Sequence, residues 1–273
     1  MTWAGLSGSK VSYFSSESES QRFGIPIGRI TVGFEAQDAV HSSLTEVMSS
    51  AADDLLIVRW PSDRLSLASA ALASGRTIIP ADTLTYWEAR AGTVGQSAGG
   101  APAPGLACAP ATAFGGDPRA AVAEVVLDSF RAYGNHYLAN PALDPHLALE
   151  GYVSWAHGSL DEDPENVLIL ALDNAAVGVA TLTHDRSAGD LEVMLAGIVS
   201  SHQAKGWYQY LFAAIDSEAI ERRCKRVIIS TQAHNVRAQR AWARMGLRPF
   251  AAITTVHALR AELARPRYGA GSR

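Results

Sequence analysis

The sequence predicts an α/β (α+β) fold: a mixed central sheet flanked by helices, built by residues 117–273 and preceded by a partial half over residues 1–90. Three observations predict it. Residues 91–116 carry no charged side chain and are rich in Gly, Ala, Pro and Ser, so they read as a linker between two folded parts. Beyond them, two helix starts, a hairpin and an alternating run of helices and strands follow one another with clear signals. Before them, shorter strand and helix signals repeat part of that order.

In the first half, residues 23–33 alternate apolar and β-branched positions as a strand does. Residues 37–50 read as a helix and 54–60 as a short buried strand. Residues 62–74 read as a helix with Ser62 as N-cap and Gly75 just past the end. A strand over 76–88, bent at Pro80, closes this half.

In the second half, Asp117-Pro118 and Asp144-Pro145 each place an N-cap before a proline at the first helical position. Val122, Val125, Val126, Phe130 and Tyr133 form the apolar stripe of the first helix. Leu149, Tyr152, Val153 and Ala156 form that of the second. Strands at 167–172 and 176–183 meet at Asp173-Asn174, a hairpin turn. A strand at 191–199 leads through a Gly/Lys turn into a helix over 206–222. Tyr208, Leu211, Phe212, Ile215 and Ala219 share that helix's inner face. A strand at 226–231, a helix capped by His234 or Asn235 and ended by Gly246, and a strand over 250–257 complete the order.

Bulk properties exclude several classes. The 273 residues are 48% hydrophobic and 18% charged, ordinary for a globular chain with a sizeable core. A net charge of −4 does not recommend nucleic acid or an anionic membrane as partner. No apolar run reaches the length of a membrane span, and the first twenty residues lack the apolar segment of a secretory signal, so a cytoplasmic location is expected. Two cysteines without CxxC spacing, Cys108 and Cys224, predict free thiols and no structural metal.

A strand feeding a turn whose amides open a helix is a ready site for a pyrophosphate. The turn Gln203-Ala204-Lys205-Gly206, with the later Asn235, Ala238 and Met245-Gly246-Leu247, resembles the GNAT acyltransferase superfamily over residues 117–260. FGIPIGRI, ADTLTYWE, HYLANPAL and GYVSW further resemble dTDP-fucosamine acetyltransferase-like enzymes, which pair a partial GNAT half with a catalytic GNAT domain.

The resemblance implies an N-acyltransferase that moves an acetyl or acyl group from acetyl-CoA or another acyl-CoA directly to the amine of a small molecule, such as an amino sugar or a natural-product intermediate. It implies that Gln203, Ala204, Lys205, Gly206, Trp207 and Tyr208 cradle the donor pyrophosphate. Ala196, Gly197 and Ile198 would offer an amide to the thioester carbonyl, and Asn235 and Ala238 would border the pantetheine arm. Glu192, eleven residues before Gln203, is in register with the family's base. Its alternative is a plain strand-end carboxylate.

Two positions depart from the family pattern. Tyr208 stands where a small residue is usual, and Trp242 stands where a tyrosine acid is usual. Indole is not a general acid, which leaves Tyr208, His234 or His257 to protonate the thiolate, or an unassisted departure. A carrier-protein-bound donor and a non-catalytic binding protein are the alternative readings. The expected partners are a small-molecule amine and possibly an acyl carrier protein, for a monomer or homodimer without metal.

Overall fold

The computed structural model describes residues 2–37, 40–95 and 103–261. The first half runs β1 (Val11–Ser15), α1 (Glu17–Phe23), β2 (Ile27–Val32), α2 (Val40–Ser50), β3 (Leu55–Pro61), α3 (Leu67–Ala73) and β4 (Thr77–Arg90). The second half runs β5 (Leu106–Pro110), α4 (Pro118–Phe130), α5 (Pro145–Glu162), β6 (Val167–Leu172), β7 (Ala175–Asp185), β8 (Asp190–Ile198), α6 (Trp207–Glu221), β9 (Arg226–Gln232), α7 (Val236–Arg244) and β10 (Arg248–Leu259).

Local chemistry explains most boundaries. The Asp117 and Asp144 side chains accept from the first-turn amides of α4 and α5, each followed by proline. Asp173 and Asn174 both take positive φ, the turn that matches the twist of the β6–β7 hairpin. Two expectations are revised. Ser62 is not a cap: its amide still donates to Ala252 of β10 and its hydroxyl meets Thr254, so the chain stays tied to the sheet and α3 starts only after Ser66. The stretch expected as linker holds β5, paired to β6 from Leu106↔Leu172 to Pro110↔Leu168. Residues 96–102 of that stretch lie outside the described residues.

Among the described residues, the strands join one ten-stranded sheet in the order β1-β2-β3-β10-β4-β9-β8-β7-β6-β5. Its centre is an exchange. The last strand, β10, sits between β3 and β4 of the first half, and β4 sits between β10 and β9 of the second, all antiparallel. Outward from the centre, the relations repeat on both sides. β3 pairs parallel with β2, which pairs antiparallel with β1; β9 pairs parallel with β8, which pairs antiparallel with β7.

Side-chain alternation sorts the core onto two faces. One face packs Leu191, Val193, Val227 and Ile229 on Leu211, Phe212 and Trp242, and Leu56, Val58 and Val256 on Leu44 and Ala70. That face carries α2, α3, α6 and α7. The other face packs Ile169, Val179 and Leu195 under α4 and α5. Near its middle, Leu6 lies with Tyr86, Ile228 and Ile253, and Trp3 packs on them.

Candidate active site

The site begins where β8 leaves β9. The two strands pair from Asp190↔Arg226 to Val193↔Ile229 and no further, while β9 continues beside β4 as far as Gln232. A register shift between β7 and β8 makes Met194 an extra residue, and that bulge bends β8 away. The gap is lined by backbone. The Val199 amide turns toward β7 and donates to Val177, so alternation turns the Ile198 and Ala196 amides into the gap and the Gly197 amide toward β7. The Ile198 carbonyl accepts from Gln203 Nε2 at 2.9 Å on that side. Of the three expected amides, two therefore face the opening.

The loop after β8 is pinned at both ends. Asp128 of α4 accepts from the Ser200 amide, and from its hydroxyl at 3.1 Å. Ala204 and Gly206 take φ +63° and +80°, left-handed conformations that glycine adopts freely and alanine does not. The result presents the start of α6 with no side-chain cap, so its first amides and dipole end stay available to an anion. A side chain at Gly206 would meet open space, so the backbone there is approachable. Trp207 is the loop's anchor, stacked on His202 at 4.6 Å with Lys205 Nζ 5.3 Å from its ring centroid. Arg237 of α7 donates to Gln203 Oε1 at 2.9 Å, a second cation at this loop that the sequence did not suggest.

Trp242 and Tyr208 explain each other. The indole is buried against Trp87, and its Nε1 donates to the Tyr208 hydroxyl at 3.2 Å. Burial pushes the Tyr208 phenol above its ordinary range, so it stays protonated. A second phenol comes from the opposite face. Tyr133, just after α4, bonds Thr231 Oγ1 at 2.9 Å, and that atom also accepts from Asn235 Nδ2 at 2.9 Å. Burial raises its pKa too, and Tyr133 also opposes ionisation of Tyr208. Asn235 caps α7 through the Ala238 amide, as expected of it.

Glu192 lies one residue before the last β8–β9 pair. Its side chain faces the α4/α5 side and is buried, and burial raises its carboxyl to about 7, although the Trp3 amide donates to it at 2.6 Å. A cleft of about 380 Å³, walled by Trp3, Thr183, His184, Asp190 and Glu192 among others, reaches this carboxylate from solvent.

The structure does not bring His257 to the opening. It lies on β10, separated from β9 by β4, fully buried, with Nε2 2.9 Å from His136 Nδ1. Burial lowers its pKa to about 4, so the ring is neutral. His234 lies exposed beside Gly134, just beyond β9. Tyr133 and Arg237 went unread as functional residues because each reaches the site through tertiary packing. The only sequence signal for Tyr133 was its place on the apolar stripe of α4.

Residues 128–247 match the model of the acetyltransferase (GNAT) family. No curated protein matches the chain. Solved structures do. A GCN5-related N-acetyltransferase from Sphaerobacter thermophilus has a TM-score of 0.57 at 14% identity, covering 92% of this chain and 77% of its own. A functionally unknown conserved protein from Staphylococcus epidermidis has a TM-score of 0.61 at 12% identity, covering 93% and 92%. A tandem GNAT protein from the clavulanic acid biosynthesis pathway has a TM-score of 0.57 at 16% identity, covering 86% and 76%. At these identities the likeness is one of fold. The matched segment holds the β8–β9 opening, the 203–208 loop, α6 and α7, and over these residues the chain is similar to the acetyltransferase (GNAT) family.

Proposed function

We propose that this protein transfers an acetyl or other acyl group from a coenzyme A thioester directly to the amine of a small molecule. The β8–β9 opening above an uncapped α6 carries the reading, because it offers amides to a carbonyl and a helix end to a pyrophosphate. Gln203 to Tyr208 hold the phosphates, with Lys205 and Arg237 adding charge. Ala196 and Ile198 face the thioester carbonyl, and their N–H groups stabilise the oxyanion as the amine attacks. Glu192 takes the ammonium proton, directly or through a water in the adjoining cleft. Tyr208 gives its proton to the departing thiolate and is held in place by the Trp242 indole. Asn235 and Ala238 border the arm of the donor.

The second cation at the loop, Arg237, favours free coenzyme A over a carrier-protein-bound donor. The first half of the chain acts as a degenerate copy of the second, and its β4 forms one wall of the acceptor side. The bond made is the amide; the bond broken is the thioester C–S bond, with the amine's proton leaving through Glu192.

Calorimetry with acetyl-CoA, followed by detection of free thiol with an amine panel, tests this. Micromolar binding and amine-dependent thiol release are expected. Absence of binding at millimolar acetyl-CoA, with transfer from an acylated carrier protein, would move the donor to the carrier. Binding without turnover of any amine would leave a ligand-binding protein.

A further inference from the structure

Residues 2–10 run as a strap over the face of the sheet that carries Glu192. The far end of the strap is laid along the exit of β2. Gly33, Phe34 and Glu35 donate their amides to the carbonyls of Lys10, Leu6 and Gly8 at 3.2, 2.9 and 3.2 Å. Gly33 lets the strap pass, since a Cβ there would stand 1.8 Å from the Gly8 carbonyl oxygen. Leu6 is buried with Tyr86, Ile228 and Ile253. Trp3 is the near anchor, its ring centroid 5.1 Å from that of Phe34, 5.2 Å from Tyr86 and 4.7 Å from Phe250. The three rings come from the first half and from β10.

The strap ends on a carboxylate of the second half. The Trp3 amide donates to Glu192 Oε2 at 2.6 Å across 189 positions of sequence, and this is the one hydrogen bond that the Glu192 side chain makes among the described residues. Glu192 is 6% exposed. A carboxylate buried without a donor is costly and stays protonated. Burial pushes Glu192 up and the Trp3 amide opposes it, which leaves the group at about 7. The same turn also walls the cleft that reaches this carboxylate, where Thr2, Trp3 and Ala4 meet Thr183 and His184. A carboxylate has room for about four hydrogen bonds, so one amide holds it without closing it to a proton.

Other charged groups face Glu192. Asp190, on its own strand, raises its pKa and the α-amino group lowers it. His184, Asp185 and Arg186 stand around the cleft. Tyr86 faces it from β4, and Arg226 of β9 is committed to Asp190 and Glu88. Loss of the Trp3 N–H alone leaves all of these in place.

We propose that the strap belongs to the active site, with the Trp3 amide as a positioning group that fixes the Glu192 carboxylate at the acceptor cleft. This rests on the acyltransferase reading for Glu192 as the base. It makes a base on the second half depend on a segment anchored in the first.

The test removes that N–H and nothing else. In the full chain, Trp3 is exchanged by nonsense suppression for its α-hydroxy acid, so that an ester oxygen replaces the amide N–H. Glu192 is followed by carbon-13 NMR with glutamate labelled at Cδ, its signal assigned by its loss in Glu192→Gln. The ester should raise the Glu192 pKa by about one pH unit above the parent's, and the acid limb of kcat/KM should move up with it. Gly33→Ala displaces the strap without touching Trp3 or Glu192 and should move both in the same direction, with cooperative urea unfolding as the control for its fold. An unchanged Glu192 titration in the ester overturns the proposal, as does a shifted titration beside an unmoved rate profile. A shifted titration without turnover of any amine would uphold the strap contact and sink the acyltransferase reading.

Discussion

Glu192 shows how burial makes a weak acid useful. A carboxylate in water is mostly ionised and a poor base at neutral pH, but one held near 7 exchanges protons where the reaction runs. The rate, as kcat/KM, should therefore rise with pH and level off above about 7. Glu192→Gln should remove that step and lower the rate by roughly 10²–10⁴. The same burial has a stability signature. Because the folded-state pKa lies above the ordinary 4.5, the folded protein favours the protonated form, and stability falls as pH rises from about 4.5 to about 7. Glu192→Gln lacks this loss, so above pH 7 it should be more stable than the parent by up to roughly 3 kcal/mol, read by urea unfolding. Tyr208→Phe separates roles differently. It should lower kcat by about 10²-fold with acetyl-CoA affinity nearly unchanged, because only the thiolate's proton donor is lost. A drop in affinity alone would make Tyr208 a packing residue.

The β8–loop–α6 unit was the most legible part of the chain, for a physical reason. Its signals are local: an apolar strand, a turn and a helical stripe within thirty residues, with Glu192 eleven positions before Gln203. The opening itself was not legible, since it depends on where β8 stops pairing with β9 and on the bulge at Met194. Nor was the Arg237–Gln203 bond, which joins elements thirty-four residues apart. The two cations are exposed, so their effect on donor phosphates is modest and screened. Lys205→Ala and Arg237→Ala should each weaken acetyl-CoA binding by about three- to tenfold at low salt, and less at high salt. An effect insensitive to salt would mean that they shape the loop instead. His257 illustrates the opposite error: its place on the closing strand was read correctly, but the strand exchange carries it away from the opening and against His136.

At the scale of the molecule, the linker and the two segments flanking it mislead if taken as two beads on a string. β4 is sheet partner to both β9 and β10, and β10 to both β3 and β4. A fragment of residues 103–273 therefore leaves one side of β9 and both sides of β10 unpaired, with Val227, Ile229 and Val256 at raw edges. It should be insoluble or unfolded alone, and co-expression with residues 1–95 should restore a soluble complex. A monomeric, cooperative fragment would show that the second half stands without the first. No alternation or cap in the sequence announces such an exchange, because each strand reads the same whichever neighbour it pairs with.

Vectorial synthesis meets this exchange awkwardly. The first half leaves the ribosome with β3 and β4 made and the place between them vacant until β10, the last strand, is translated. Pairing β3 with β4 directly would be a non-native shortcut available throughout that interval. The native route requires the nascent chain to keep that gap open, or to reopen it, for a strand nearly two hundred residues downstream. Folding governed by so distant a closure is slow and exposed to mispairing, so the yield of active protein should depend on translation speed and chaperone supply more than the stability of the finished sheet would suggest.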